Sequence, residues 1–273
     1  MSFSAVIVTY NSQEIIEDCL ISLRDAMTVY TGQTEIIIVD NSSSDDVFNL
    51  LQQLQTAFTF LLIQSENKGF GNGVNLGTKH AHGDYIVVLN PDVRVTRSFF
   101  VDLESTISDS PRAAIIGPKL LNRDGSVQLS CRRFPSLLSV LGNRIPFATR
   151  MSIVDLHVNR YLMNDFEHDS AKTVPFILGA CMVIRKAVFD EIGGFDQSYF
   201  LYYEDVQLCK DVWSAGWEIW YTPKVMAVHD HARSSIRIFS KAFWHHVRSS
   251  MIFYRKNPLV LFTLPSDVDS MKM

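Results

Sequence analysis

Five apolar residues run without a break from Tyr85 to Leu89, and the run stops at Asn90-Pro91-Asp92. A run this short, opened by the turn pair Gly83-Asp84, reads as a strand buried on both faces. Proline cannot continue a central strand, so the chain must turn at Pro91. The turn also leaves a carboxylate, Asp92, at the carboxyl end of a buried strand, where open α/β sheets bind their ligands. An acid there can hold a hard cation through oxygen; the plainer reading is a polar turn.

The residues before this run repeat the pattern. Ala5 to Val8 forms a first buried strand, ending in Thr9-Tyr10-Asn11-Ser12. Asn11 or Ser12 can cap a helix with Ile15, Ile16, Cys19, Leu20 and Leu23 on one face. Glu35 to Val39 is a second strand, ending in Asp40, and Asn41 to Asp45 turns into a helix carrying Val47, Leu50, Leu51 and Leu54. Phe58 to Ile63 is a third. The glycine-rich stretch Asn67 to Gly73 leads into a helix over Val74 to His80. The order β-α-β-α-β-α-β predicts a mostly parallel, doubly wound sheet, with Asp40 and Asp92 facing one crevice.

Beyond Val93 the rhythm loosens. A helix is expected over Phe99 to Ile107 and a strand over Ala113 to Pro118. Residues 127–170 have no clear period and predict a mobile loop or short helices. Phe176 to Arg185 reads as one strand, with Gly179-Ala180 small enough for close backbone approach. Lys186 to Ile192 is a short helix, Glu204-Asp205 opens another that closes at Gly216, and two strands follow, Glu218 to Tyr221 and Val225 to Val228, the latter reaching His229.

A formal net charge of −4 argues against binding nucleic acid through a broad basic surface. The four cysteines form no C-x-x-C pair, which excludes the usual zinc and disulfide frameworks and fits a reducing, cytoplasmic setting. Neither a signal peptide nor a membrane-spanning run of about 18 apolar residues is expected.

Taken in order, several short motifs resemble the family 2 glycosyltransferases, and within them the bacterial rhamnosyltransferase-like branch. They are Val6 to Asn11, Ile38 to Asp45, Asn67-Lys68-Gly69-Phe70-Gly71 with Asn75, Asn90-Pro91-Asp92, Gly193-Gly194-Phe195-Asp196, Tyr203-Glu204-Asp205 and His229. The resemblance implies the GT-A fold, a nucleotide-sugar donor (dTDP- or UDP-linked), Mg²⁺ or Mn²⁺, and inversion at the anomeric carbon. It implies a glycan or polyprenyl-diphosphate-linked acceptor in bacterial surface polysaccharide synthesis, with rhamnose one candidate sugar.

By the same resemblance Thr9, Tyr10, Asn11 and Asp40 line the nucleoside pocket, and Asn67, Gly69 and Asn90 shape the donor site. Asp92 and His229 hold the metal, with His231 an alternative to His229. Asp205 is the general base, Glu204 orients it or holds an acceptor hydroxyl, and Asp196 lies near the acceptor. Asn72 or Asn75 contacts the sugar, and Arg132 and Arg133 close on the diphosphate or form a solvated basic loop. An acid at a helix start is also what any helix N-terminus favours. The chain departs from the branch where a second acid is usual two residues after the base: it carries Gln207, with Lys210-Asp211 further on. A sugar nucleotidyltransferase would want a basic, glycine-rich loop after the first strand, which Thr9 to Ser12 is not; a non-catalytic nucleotide-sugar or glycan-binding protein is the other alternative.

The expected division is a catalytic domain over 1–235, with a nucleotide-binding half (1–118) and an acceptor-binding half (119–235), and a helical tail over 236–273. From His231 to Ser266 there is no acid, while basic and aromatic residues recur. Such a helix suits peripheral contact with the inner face of an anionic membrane, or packing on the catalytic domain.

Overall fold

The structure is a computed structural model that describes residues 1–145, 148–230 and 240–266. The first half is the expected alternation: β1 (Ser2–Thr9), α1 (Ile16–Val29), β2 (Gln33–Asn41), α2 (Asp45–Leu54), β3 (Leu61–Ser65), α3 (Phe70–Thr78) and β4 (Tyr85–Leu89). Then come β5 (Val93–Val95), α4 (Phe99–Asp109), β6 (Ala113–Leu121), β7 (Val127–Gln128), β8 (Cys131–Arg132), α5 (Leu137–Arg144) and α6 (Ser152–Tyr161). The chain closes with β9 (Lys172–Thr173), β10 (Phe176–Ile177), β11 (Cys181–Arg185), α7 (Lys186–Glu191), α8 (Glu204–Ser214), β12 (Glu218–His229), α9 (Lys241–Lys256) and α10 (Pro258–Phe262).

The main sheet has the order β3-β2-β1-β4-β11-β6-β12-β5. Its first four strands are parallel, and β6 and β12 form a second parallel pair. β11 lies between the two groups, antiparallel to both β4 and β6. The reason is the route of the chain. It leaves β6, builds β7, β8, α5 and α6, and re-enters the sheet in the opposite sense to β4.

Strand alternation sends side chains to two cores. Val6 and Val8 of β1 and Ile86 and Val88 of β4 join the core under α3, α7 and α8. Phe3, Ala5, Ile7, Tyr85, Val87 and Leu89 join the core with α1 and α4. All ten are buried. Each fully buried Val, Leu, Ile or Phe contributes about 1.5–3 kcal/mol, against about 0–1 kcal/mol for an exposed ion pair such as Arg24–Asp25. The cores, not the surface charges, therefore hold the strand ends in place.

Four elements differ from the sequence-based reading. β3 begins later than Phe58, because Phe58 and Phe60 are buried before the strand starts. α3 takes in the glycine-rich stretch: a Cβ on Gly73 or Gly77 would come within 2.8 Å of Val8 or 2.6 Å of Val6, so these glycines let the helix lie close on the sheet. The strand expected over Phe176 to Arg185 is two, broken at Leu178 to Ala180. The two late strands are one, β12, with an irregularity between Thr222 and Met226.

Candidate active site

Thr9 ends β1 and pairs in register with Asp40 of β2, so both stand at the carboxyl edge of the parallel strands. Asp40 is fully buried, and its Oδ2 accepts the Ser43 N–H at 3.2 Å. Thr9 Oγ1, Asp40 Oδ1 and Asn41 Oδ1 are buried with no hydrogen-bonding partner among the described residues. Buried polar atoms are ordinarily satisfied, so a cluster of orphans at a sheet's ligand edge marks a polar recognition site. Tyr10 is exposed beside it. Asn11 does not cap α1: its Oδ1 accepts from Ser44 N–H and its own N–H donates to Ser43 Oγ, tying the two strand-end loops together.

A second group lies at the end of β4 and β12. His229 Nε2 is 3.4 Å from Asp92 Oδ1, and His229 Nδ1 is 2.7 Å from Gln128 Oε1. The carbonyl-type oxygen of Gln128 can only accept, so Nδ1 carries a proton and Nε2 is the ring nitrogen that faces Asp92. A carboxylate oxygen and an imidazole nitrogen at this spacing suit a divalent cation. Among the described residues no set of three or more His, Cys, Asp or Glu converges to hold a metal. Asp230 is engaged instead by Arg94 and Arg123, and His231 lies outside the described residues.

The third group walls a cavity of about 830 Å³, which Asn90 and His229 also line. Asp205 stands half-buried on that wall. Gly179 N–H donates to Oδ2 at 2.9 Å and Val206 N–H to Oδ1 at 2.8 Å. Gly179 sits in the break between β10 and β11, and a Cβ there would stand 3.3 Å from that of Asp205. Burial pushes the Asp205 carboxyl upward, opposed by the two backbone donors. Glu204 is pushed up to about 8, by burial first and by the neighbouring Asp205 second, and its Oε2 has no partner among the described residues. At neutral pH Glu204 therefore favours its protonated form. Both sit in the first turn of α8, entered through Tyr202 and Tyr203 in the left-handed region at φ 69° and 68°. Such backbone costs about 1–3 kcal/mol per residue. Packing of Tyr203 on Phe253 and His246 offsets it.

Other expected residues are placed differently. Asn67 Oδ1 accepts from Gly69 N–H, and Gly69, at φ 102°, lies so close to the Phe200 carbonyl that a Cβ would fall within 2.2 Å of its oxygen. Phe70 N–H completes that contact by donating to the same oxygen. The segment thus braces the loop before α8. Asn75 gives both ends of its amide to the Phe195 backbone, and Asn72 donates to the Lys68 and Gln197 carbonyls. Arg133 is buried and paired bidentately with Asp165, whereas Arg132 lines the cavity. Asp196 is bonded by Lys256 and Ser198 and is not on the cavity wall. Burial works to raise its carboxyl, but those bonds outweigh it and hold it below the usual carboxylate range.

Gln207, where an acid is usual, is a link rather than a gap. Its Oε1 accepts from Asn257 at 2.9 Å and Tyr199 at 3.3 Å, and its amide donates to Asp211 at 2.8 Å. The tail is accordingly part of the catalytic body. α9 buries Phe253, bonds Leu201 O through Ser249, and bonds Pro135 O through Tyr254. Sequence reasoning did not find Gln128 or the cavity aromatics Tyr161 and Phe176, because nothing local marks them; Phe70 lay in a quoted motif without a role assigned to it. Gly179 was marked only as a site of close approach.

Comparison with known proteins places the chain in a family. The N-acetylglucosaminyl-diphospho-decaprenol L-rhamnosyltransferase of Mycobacterium tuberculosis is 31% identical over 264 residues, covering 91% of this chain and 82% of that protein. Rhamnosyltransferase WbbL of Escherichia coli K12 is 28% identical over 257 residues, covering 89% and 90%. Among solved structures, GalNAc-T7 with UDP, GalNAc and Mn²⁺ superposes with a TM-score of 0.65 at 16% identity, over all of this chain and 53% of that one. The mannosyltransferase PcManGT of Pyrobaculum calidifontis with GDP-Man and Mn²⁺ gives 0.63 at 17% identity, over 93% and 64%. The chain thus spans roughly half to two thirds of those solved chains, and the likeness establishes the GT-A fold. A family model described as glycosyl transferase family 21 matches residues 158–262. The model described as glycosyl transferase family 2 matches residues 4–193, well over half of the sequence, and the chain therefore belongs to glycosyl transferase family 2.

Proposed function

We propose that this glycosyltransferase moves rhamnose, with inversion, from a nucleoside-diphosphate donor (dTDP- or UDP-linked) to a hydroxyl of a polyprenyl-diphosphate-linked glycan, at the cytoplasmic face of a membrane. The observation that carries the reading is Asp205: a carboxyl group held by two backbone N–H groups, on the wall of a cavity that Asn90 and His229 also line. The acceptor and sugar are suggested by the names of the mycobacterial and E. coli relatives.

Asp205 takes the proton of the acceptor hydroxyl as its oxygen bonds to the anomeric carbon, while the bond from that carbon to the diphosphate oxygen breaks. Thr9 and Asp40 grip the base and ribose. Glu204, protonated, donates to an acceptor oxygen, and Arg132 faces the departing diphosphate. Asp92 and His229 would hold Mn²⁺ or Mg²⁺, the imidazole favouring Mn²⁺; when bound, the ion neutralises diphosphate charge. Asn90 brings no charge, so metal affinity depends on the donor being present.

The test is turnover. Purified protein with Mn²⁺ and a panel of dTDP-, UDP- and GDP-sugars is expected to transfer from, or slowly hydrolyse, one donor class. Asp205→Asn should lower transfer by about 10²–10⁴-fold while donor binding persists. A variant that transfers normally at saturating donor but has lost donor affinity would overturn the assignment of the base.

A further inference from the structure

The helices that wall the cavity turn a second face to solvent. α9 exposes Lys241, Trp244, Arg248, Met251 and Arg255, spaced so that they form one stripe along the helix. α10 continues with Leu259 and Phe262, which are 84% and 80% exposed. α10 packs against both α9 and α5, α5 packs against α6, and Arg160 Nε donates to Pro265 O across the group. Beside them Ile145, Met151 and Ile153 are also exposed. Of the seventeen exposed large apolar side chains among the described residues, ten fall within residues 137–162 and 240–266. Those two stretches hold seven basic residues and one acid, Asp155, in a chain whose net charge is −4. Apolar side chains with interleaved basic ones and an exposed tryptophan are what a protein lays against anionic lipid. Two copies meeting through this face would bring like charges together, which disfavours self-association.

We propose that the outer face of α9 and α10, continued by α5 and α6, docks on an anionic bilayer. Trp244, Met251, Leu259 and Phe262 enter the boundary between headgroups and acyl chains, and Lys241, Arg248 and Arg255 meet lipid phosphates. The same helices contribute Val140, Tyr161 and His246 to the cavity wall, so docking holds the cavity beside the bilayer. The proposal deepens the reading of a lipid-linked acceptor and rests on it for its purpose, not for its physical basis.

Flotation tests it, using the full chain with vesicles of phosphatidylcholine alone and of phosphatidylcholine mixed with phosphatidylglycerol. The protein should float with the anionic vesicles only, and less so at high salt. Leu259→Ser with Phe262→Ser should lower that partition roughly tenfold or more, with an unchanged melting temperature and unchanged transfer to a short, water-soluble acceptor. Arg248→Glu with Arg255→Glu should weaken binding to the anionic vesicles as well. Protein that transfers to a soluble acceptor yet floats with neither vesicle overturns the proposal. So do variants that float like wild type, and so does a dimer dissolved by Phe262→Ser in protein that does not float. Flotation as expected without transfer from any donor sinks the proposed reaction and leaves the docking surface standing.

Discussion

Single side chains decide the chemistry here by being locked. Gln128 fixes the His229 tautomer through one contact of 2.7 Å. Outer partners of metal-binding histidines typically matter 10–100-fold, so Gln128→Leu should weaken Mn²⁺ binding in the presence of nucleoside diphosphate by about that factor, read by titration calorimetry. Glu204 gives a pH signature. Its carboxyl is raised from 4.5 to about 8 in the fold, so the folded state binds the extra proton between those values. The stability it contributes is complete below 4.5 and is lost as pH rises through 8. Glu204→Gln keeps the uncharged form at every pH. Its melting temperature should therefore gain on wild type by several degrees as pH rises from 5 to 9; a gap independent of pH would show that Glu204 is not held protonated. Asp92, Glu204, Asp205 and His229 stood out in the sequence because each lies in a motif that carries the resemblance. Gln128 did not, since its partner lies 101 residues away.

Among the elements, α9 carries more than the sequence assigned to it. A basic, aromatic helix at the end of a chain reads equally well as a membrane appendage or as part of the domain, because periodicity alone does not say what its apolar side meets. The structure gives it both faces. Phe253, Ser249 and Asn257 face inward against Tyr203, Leu201 and Gln207, and the stripe from Lys241 to Arg255 faces out. Phe253→Ala should cost about 3–5 kcal/mol by cavity formation, measured by denaturant unfolding. Because Tyr203 precedes Glu204 and Asp205, the same change should lower turnover more than donor affinity. In the stretch that leads into α3, the resemblance implies that Asn67 and Gly69 shape the donor site; its glycines also serve close packing, and Gly69→Ala should disturb the Phe200 loop by steric clash.

For the molecule as a whole, the order of strands and helices was readable. Metal and donor together should raise the apparent stability by about 2.7 kcal/mol at a hundredfold excess over Kd, and either alone by much less, in a thermal-shift series. Strong stabilisation by Mn²⁺ without nucleotide would contradict the shared site. Within the described residues no helix is long and apolar enough to cross a membrane, so the lipid contact inferred above is a surface one. What the sequence determined by itself is what short-range periodicity encodes: buried parallel strands, their terminal acids, and the helices between them. What only the tertiary structure decided is how segments far apart in the chain meet. β11 enters the sheet reversed, Gly179 reaches Asp205, Gln128 reaches His229, and Asn257 takes up Gln207. Such contacts are set by packing and by the need to pair buried polar groups, and neither leaves a local mark on the residues that satisfy them.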